Sequence, residues 1–248
     1  MDRSKGCCLV FALVAFFSGS QSLAQTTLAK WTFEGVSFSA LAASSPIVST
    51  GSLTADLGSG QASAVHAASN SLWFTPWGNG SSKAFGGTTW VSGDYFKFST
   101  STVGFSNISV AWDQYSTPDG PRDFRLSYSV DGTNFVNLRT LSISDTPTWS
   151  NSTPQTGGAT NFSVDLSGVS ALANQGTVYF VLTVNSGTAV NGGAIGTYGY
   201  SVLDNFVVSG TAIPEPAPIA LLITLLTFGM VFCLRRCRFS HSNEVRLA

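Results

Sequence analysis

Asp204 is an acidic residue inside an otherwise apolar pattern. Within Tyr200–Val208, a period-2 alternation puts Asp204 on the same strand face as three apolar residues, namely Val202, Phe206 and Val208. A buried carboxylate requires a cation, a network of hydrogen-bond donors or a raised pKa. A one-residue bulge that turns Asp204 outward, or hydrogen bonds from backbone donors, is the alternative explanation. Asp204 is therefore a candidate for binding a cation, and the alternative is that it has only a structural role.

Four aromatic residues are candidates for contact with carbohydrate. Flat aromatic rings stack on the apolar C–H faces of sugars, and Trp and Tyr add a polar group at the ring edge. The candidates lie in or beside predicted loops or end a predicted strand: Trp73, Trp77, Trp90 and Tyr115. Burial of these rings as loop anchors is the alternative. Trp112 shares its alternation with Ile108 and Val110, which predicts a core position.

Nucleophilic and zinc chemistry find little support in the middle of the chain. Residues 25–213 contain a single histidine, His66, and no cysteine. They contain no Gly-x-Ser-x-Gly sequence, and no Gly-rich phosphate loop follows a strand and opens a helix. Zinc sites are built mostly from Cys and His, so one His with carboxylates is a poor set. Paired carboxylates for glycoside cleavage stay open, because spatial pairing is invisible in a sequence. We therefore expect a protein that is not an enzyme.

The elements that position these residues are predicted to be β-strands. Alternation of apolar and polar residues recurs in six segments: 96–100, 108–113, 124–130, 160–166, 177–185 and 200–208. Asp131-Gly132 predicts a hairpin turn, and residues 144–159 and 187–199 read as long loops. About nine short strands without a helical pattern predict one all-β domain, a single antiparallel β-sandwich of jelly-roll type.

Charge is scarce in this chain and unevenly distributed. Of its 248 residues 10% are charged, against about 25% in an ordinary soluble domain. Residues 25–213 hold six basic and ten acidic residues, a net charge of −4. This excludes the basic surface that nucleic-acid binding requires. The other six basic residues and all four cysteines lie near the two ends of the chain.

The N-terminal segment is predicted to be a secretory signal peptide, residues 1–24. Arg3 and Lys5 precede the unbroken apolar run Cys7–Phe17, and small residues then lead to Ala24. The alternative is an N-terminal anchor, but a run of 11 residues is well short of the ~20 that a spanning helix needs. We expect residues 25–212 to be the exported domain.

The C-terminal segment combines three features in a fixed order. A Pro-Glu-Pro sequence (Pro214, Glu215, Pro216) precedes an uncharged stretch, residues 217–234, that is long enough to be a transmembrane helix. A basic cluster follows at once: Arg235, Arg236 and Arg238. Basic residues favour the cytoplasmic side, so residues 239–248 are expected to form a cytoplasmic tail. A plain single-pass anchor with a stiff proline stalk is the alternative.

The segment 213–238 closely resembles the PEP-CTERM sorting signal of Gram-negative bacteria. That resemblance implies recognition and cleavage by a membrane exosortase, and association with exopolysaccharide or biofilm matrix. The ten residues after Arg238 make the end longer than is usual for this signal. The signal bears on the destination of the protein and leaves the activity of the exported domain open.

The exported domain is also similar to carbohydrate-binding jelly rolls. Phe33-Glu34-Gly35 near its start and Asp204-Asn205-Phe206 near its end carry this resemblance. In several of those families the equivalent acids bind a structural calcium ion, so the resemblance implies a calcium site at Glu34 and Asp204.

These observations predict an exported cell-surface or matrix protein that an exosortase processes, with a non-catalytic structural or adhesive role. A carbohydrate-binding module is the alternative, and an extracellular glycoside hydrolase is a further one. The predicted partners are the exosortase, the membrane through the C-terminal helix, and exopolysaccharide, but not nucleic acid. The only cofactor that the sequence points to is a structural calcium ion.

Overall fold

The computed structural model describes residues 24–36, 47–48, 53–144, 149–157, 160–214 and 225–230. The chain divides into two compact units, Leu23–Ala212 and the combined segments Met1–Ser22 and Ile213–Ala248. In the second unit residues 225–230 are helical. None of the helices within the described ranges is long and apolar enough to cross a membrane. Most of the predicted signal peptide, Glu215 and Pro216, the arginine cluster and most of the predicted span lie outside the described residues.

The first unit is built from short and medium strands. In chain order they are β1 (Gln25–Trp31), β2 (Ile47–Val48), β3 (Leu57–Gly58), β4 (Gly60–Val65), β5 (Trp73–Phe74), β6 (Phe85–Gly87), β7 (Tyr95–Thr100), β8 (Phe105–Ser116), β9 (Asp123–Ser129), β10 (Val136–Ser142), β11 (Asn161–Asp165), β12 (Val178–Val184) and β13 (Ser201–Ala212). A single 3₁₀ turn, Ser170–Leu172, lies between β11 and β12.

The strands form two antiparallel sheets. Sheet A has the order β11-β8-β13-β1-β3, with β6 paired to β13 and β5 paired to β6. Sheet B has the order β10-β9-β12-β7-β4-β2. The prediction of an all-β domain with antiparallel sheets is confirmed. The six segments predicted from alternation appear as β7, β8, β9, β11, β12 and β13, because one face of each lies on a core and the other faces outward.

The two sheets pack face to face over one hydrophobic core. Phe98 of sheet B stacks on Phe206 of sheet A with ring centroids 3.7 Å apart and planes 4° from parallel. Trp31 packs edge-on against both of these rings. Trp112 is 1% exposed, as its alternation predicted. Since this core is continuous between the sheets, the first unit is a β-sandwich.

Candidate functional site

A bulge in β13 places Asp204 on the outer face of sheet A. Asp204 pairs with Asp113, and the register then slips so that Val207 pairs with Ala111. Asn205 absorbs the extra residue with a positive φ of 49°. The predicted position of Asp204 on the same face as Phe206 is therefore wrong, because Leu203 and Phe206 lie in the core while Val202 lies in a separate apolar cluster. Asp204 is nonetheless fully buried.

The loop formed by residues 78–83 covers Asp204 and hydrogen-bonds to it. Oδ2 of Asp204 accepts from the backbone N–H of Asn79 at 2.9 Å and from the Ser81 hydroxyl at 2.8 Å. Oδ1 accepts from the backbone N–H of Asn205 at 2.7 Å. A Cβ at Gly78 would lie 2.4 Å from Oδ2 of Asp204, so this close approach requires glycine. Hydrogen-bond donors thus satisfy a carboxylate that has no ion-pair partner among the described residues.

Asp113 extends this network to a second loop. Its carboxylate accepts hydrogen bonds from the side-chain amides of Asn79, Asn161 and Asn205. Asn79 also exchanges two hydrogen bonds with the backbone of Gln155, at 2.6 and 2.9 Å. The loops 78–83 and 149–157 are therefore joined to each other and to β8 and β13 through Asn79.

Burial raises the pKa of Asp204 to about 6. The hydrogen bonds from Ser81, Asn79 and Asn205 favour the charged form and act against this shift, whereas the negative charge of Asp113 adds to it. Two neighbouring carboxylates without a described cation leave local negative charge beneath the loop.

Glu34 holds the other end of the same loop. Its carboxylate accepts hydrogen bonds from the Ser82 hydroxyl and from the backbone N–H of Lys83, the latter at 2.9 Å. The two acids that the sequence singles out, Glu34 and Asp204, therefore both bind residues 78–83. No cluster of three or more His, Cys, Asp or Glu side chains suited to a metal occurs among the described residues. A calcium ion here would need hydroxyl or carbonyl oxygens of this loop as well as the two acids.

An aromatic cleft lies beside these loops on the outer face of sheet A. Its volume is about 390 Å³, and its lining consists of Thr75, Pro76, Trp77, Tyr115, Trp149, Tyr200 and Val202. The Trp77 ring is 63% exposed, whereas Trp149 and Tyr115 are 3% and 6% exposed and form the floor. A cleft with one open indole and a floor of aromatic rings suits a ligand with apolar faces.

Polar groups in the cleft are few and are mostly donors. Nε1–H of Trp149 is buried and has no acceptor within the described ranges. Burial raises the pKa of Tyr200, so its phenol stays protonated at neutral pH. No carboxylate is among the described residues that line the cleft. The cleft therefore presents ring faces and phenolic hydroxyls to a ligand.

Two of the predicted sugar-binding residues occupy the core instead. Trp73 and Trp90 are 1% and 2% exposed, and they flank the His66 ring with centroids 4.3 and 4.0 Å away. Neither offers a ring face to a ligand, because both rings are buried in the core. Trp77 and Tyr115 do lie in one cleft, and they share it with Trp149 and Tyr200.

His66 does not form a catalytic triad in this structure. Ser71 Oγ is 2.8 Å from Nδ1 of His66, and Asp94 Oδ2 is 4.0 Å from that same nitrogen. A triad needs the serine and the carboxylate on opposite ring nitrogens. Ser71, His66 and Asp94 are each at most 3% exposed. Burial lowers the pKa of His66 to about 3, while the Thr88 backbone acts in the opposite direction.

Sequence reasoning missed several residues of the site. Trp149 and Asn79 lie in loops, where no periodicity assigns a side chain to a face. Asp113 follows the core residue Trp112 in β8, and its alternation does place it on the outer face. Tyr200 directly precedes β13. The pairing of Asp113 with Asp204 depends on strand register, which the sequence does not reveal.

Comparisons with known proteins reach only distant similarities. No protein-family model matches the chain, and neither does any curated protein sequence. Among solved structures, the carbohydrate-binding module TmCBM61 in complex with beta-1,4-galactotriose is 12% identical, with a TM-score of 0.30 over 51% of this chain and 70% of that one. The K2 cleaved adhesin domain of Lys-gingipain is 14% identical, with a TM-score of 0.37 over 75% and 97% of the two chains.

A third similar structure is that of an exo-beta-agarase, 16% identical with a TM-score of 0.32. The match covers 58% of this chain and 23% of the agarase chain, so it concerns a minor part of that protein. At such TM-scores these similarities carry no argument about function. The proposals below depend on the residues of this chain alone.

Proposed function

We propose that this protein is an exported β-sandwich of jelly-roll type that binds carbohydrate in its aromatic cleft and has a non-catalytic, adhesive role. The observation that carries the proposal is the exposed Trp77 ring above a floor of Tyr115, Trp149 and Tyr200. Aromatic faces of this kind pack against the C–H face of a pyranose ring, while hydroxyl groups at the ring edge accept or donate hydrogen bonds.

The polar groups of the cleft match a neutral sugar. The buried indole of Trp149 contributes ring surface to the floor of the cleft. The phenols of Tyr115 and Tyr200 both donate and accept. Since no charged side chain lines the cleft among the described residues, we infer that its ligand is an uncharged saccharide unit.

We infer a non-catalytic role, and the composition of the described cleft lining supports it. Glycoside hydrolysis uses two carboxyl groups on either side of the scissile bond. The described lining of the cleft has none, and the nearby pair Asp113 and Asp204 lies under the loop 78–83 in hydrogen bonds to the protein. These carboxylates hold the walls of the cleft in place.

Export and anchoring complete the proposal. We infer that the signal peptide directs the domain out of the cytoplasm. The Pro-Glu-Pro segment, the predicted membrane helix and the arginine cluster then deliver the protein to an exosortase, and from there to the cell surface or matrix. Carbohydrate binding by the exported domain would then attach it to exopolysaccharide.

The decisive experiment is a glycan array probed with the purified protein and with Trp77→Ala. We expect binding to at least one neutral oligosaccharide, with loss of that binding in Trp77→Ala and partial recovery in Trp77→Phe. Tyr198→Ala is the matched control, because Tyr198 is 79% exposed and does not line the cleft. Binding that survives in Trp77→Ala, or no binding to any neutral glycan, would overturn the proposal.

A further inference from the structure

A second candidate site lies on the outer face of sheet B. It is a groove of about 320 Å³ that we call the basic groove, and Tyr95, Lys97, Arg125, Phe135, Asn137 and Val181 are among its lining residues. The strand register of sheet B explains why these residues lie together. Lys97 pairs with Val181, Val181 with Ser127 and Ser127 with Asn137, so one outward row crosses four strands. The row beside it runs from Tyr95 to Arg125.

The two cations of this groove have no carboxylate partner among the described residues. In that part of the chain, Arg122 pairs with Asp123, whereas the histidine beside Asp94, His66, is neutral because burial lowers its pKa to about 3. Nη1 of Arg125 donates to Asn185, but its Nε is buried and has no acceptor. Nζ of Lys97 lies 4.7 Å from the centroid of the Tyr179 ring and 5.9 Å from that of Phe135.

Acidic residues close to the two cations along the chain are engaged elsewhere. Asp94, three residues before Lys97, is buried and accepts hydrogen bonds from the backbone N–H groups of Ala67 and Val91. Asp123, two residues before Arg125, binds Arg122, Ser142 and Ser186, and these contacts hold its pKa at about 2. Asp131 accepts several hydrogen bonds within its own hairpin, chiefly from Asn134, and its pKa is lowered. The groove is therefore a local positive site on a domain of net charge −4.

We propose that the basic groove binds an acidic polysaccharide through its sugar carboxylates. An anionic acceptor would form charge-assisted hydrogen bonds with the Lys97 ammonium and the Arg125 guanidinium. The rings of Tyr95 and Phe135, the latter 39% exposed, offer apolar surface to the sugar rings between the charged groups.

The spacing of the cations favours a polymer over a single small anion. Lys97 and Arg125 stand on β7 and β9 with β12 between them, in neighbouring outward rows. Strand spacing and residue rise put their Cα atoms roughly 12 Å apart. Two charges at that separation suit separate acidic units of an extended chain.

Two other polyanions fit the groove less well. Nucleic-acid binding depends on many basic residues and gains most of its affinity from them, whereas this domain is acidic overall. Anionic membranes are recognised by clusters of 4–8 basic residues, and the groove has two. This proposal concerns a site separate from the aromatic cleft, and it holds or fails independently of the proposed cleft function.

The test uses full-length protein in a mild nonionic detergent, with polygalacturonate and the same polymer methyl-esterified at its carboxylates. We expect binding to polygalacturonate at low salt, weakening between 20 and 300 mM NaCl, and at least tenfold lower affinity for the ester. Lys97→Gln and Arg125→Gln should each lower the affinity for polygalacturonate about tenfold. Arg139→Gln is the matched control, since Arg139 is exposed on β10 and outside the groove.

Trp77→Ala should leave polygalacturonate binding unchanged, which separates this site from the aromatic cleft. The proposal is overturned by equal affinity for the two polymers, or by full affinity in both groove variants that retain the melting temperature of the parent. Equal or tighter binding to single-stranded DNA or to anionic phospholipid vesicles at the same salt also overturns it. Absence of binding to both polygalacturonate and alginate at low salt has the same consequence.

Discussion

The backbone N–H of Asn79 donates a 2.9 Å hydrogen bond to Oδ2 of Asp204, a residue 125 positions later in the chain. The Asn79 side chain binds Asp113 and Gln155 at the same time. One asparagine therefore joins two adjacent strands of sheet A to two loops. Trp77 directly precedes the loop 78–83, Trp149 begins the loop 149–157, and both line the aromatic cleft.

Replacing Asn79 by Ala should loosen the cleft and destabilise the domain. The change leaves the backbone N–H of Gln155 without its acceptor and removes one of the three amide donors to Asp113, which costs about 1–3 kcal/mol in the free energy of unfolding. Urea unfolding measures that cost, and glycan titration should show weaker binding through the displaced Trp77. Asn151→Ala is the control, because Asn151 is exposed in the same loop as Gln155. Equal stability of the two variants would show that Asn79 does not hold the loops.

Asp204 should make the domain more stable in mild acid when calcium is absent. Its pKa is about 6 in the folded state against an ordinary 3.8, so the folded protein retains a proton that the unfolded chain has lost. This contribution is complete below pH 3.8 and is lost as the pH rises through 6. In EDTA, the unfolding free energy of the parent minus that of Asp204→Asn should fall by about 3 kcal/mol from pH 3.5 to 7.

Asp165→Asn is a suitable comparison for that titration. Asp165 is exposed, and the backbone N–H of Ser167 lowers its pKa, so its contribution has the opposite sign and is lost as the pH falls. A difference for Asp204→Asn that does not vary between pH 3.5 and 7 would contradict the raised pKa.

Calcium binding at the loop 78–83 stays a prediction and has a direct measurement. Millimolar calcium should raise the melting temperature above that in EDTA, since a ligand at 100 times its Kd adds about 2.7 kcal/mol of stability. Glu34→Gln and Asp204→Asn should each abolish the shift, because both acids bind this loop. The absence of both a calorimetric heat and a melting shift in the parent would exclude the site.

His66 should make the domain sensitive to acid. Its pKa is about 3 in the folded state against 6.5 ordinarily, so its contribution is complete above pH 6.5 and is lost as the pH falls toward 3. Relative to His66→Gln, the parent should lose about 1.4 kcal/mol per pH unit below 6.5. Parallel unfolding curves for the two proteins between pH 6.5 and 4.5 would show that the histidine takes up a proton without unfolding.

Replacing Glu215 by Ala should leave the precursor uncut in the inner membrane. Glu215 is the charged centre of the Pro-Glu-Pro sequence that the sorting proposal depends on. Immunoblots of membrane and surface fractions distinguish the precursor from the mature protein. Glu244→Ala removes an equal charge beyond the arginine cluster and should mature normally. Unchanged processing of the Glu215 variant would count against exosortase recognition.

The sequence predicts strands best where a strand is long and has one buried face and one outward face. In β7 and β9 each core residue is followed by a polar one, and the alternation of Phe96 and Phe98 with Lys97 identifies the buried face directly. Strands of two or three residues such as β3, β5 and β6 are too short to show an alternation, so the pattern does not identify them.

The site itself depends on information that alternation does not contain. The bulge at Asn205 reverses the face of Asp204, because one inserted residue changes the parity of everything before it. Trp73, Trp77 and Trp90 have similar local sequence contexts, but tertiary packing buries two of them and exposes the third. Glu34 and Asp204 both hydrogen-bond to residues 78–83, and their pairing as calcium ligands stays a prediction.

The two ends of β13 have a mechanical consequence. Tyr200 and Val202, at its start, line the aromatic cleft, and its last residue Ala212 leads to the C-terminal segment. With a glycan held in the cleft and the tail anchored, tension runs along the strand, a distance of about 35 Å. β1 and β8 pair with β13 on both sides, so many hydrogen bonds share this load in shear. Under the proposed function, this two-sided pairing would resist pulling between a bound glycan and the C-terminal segment.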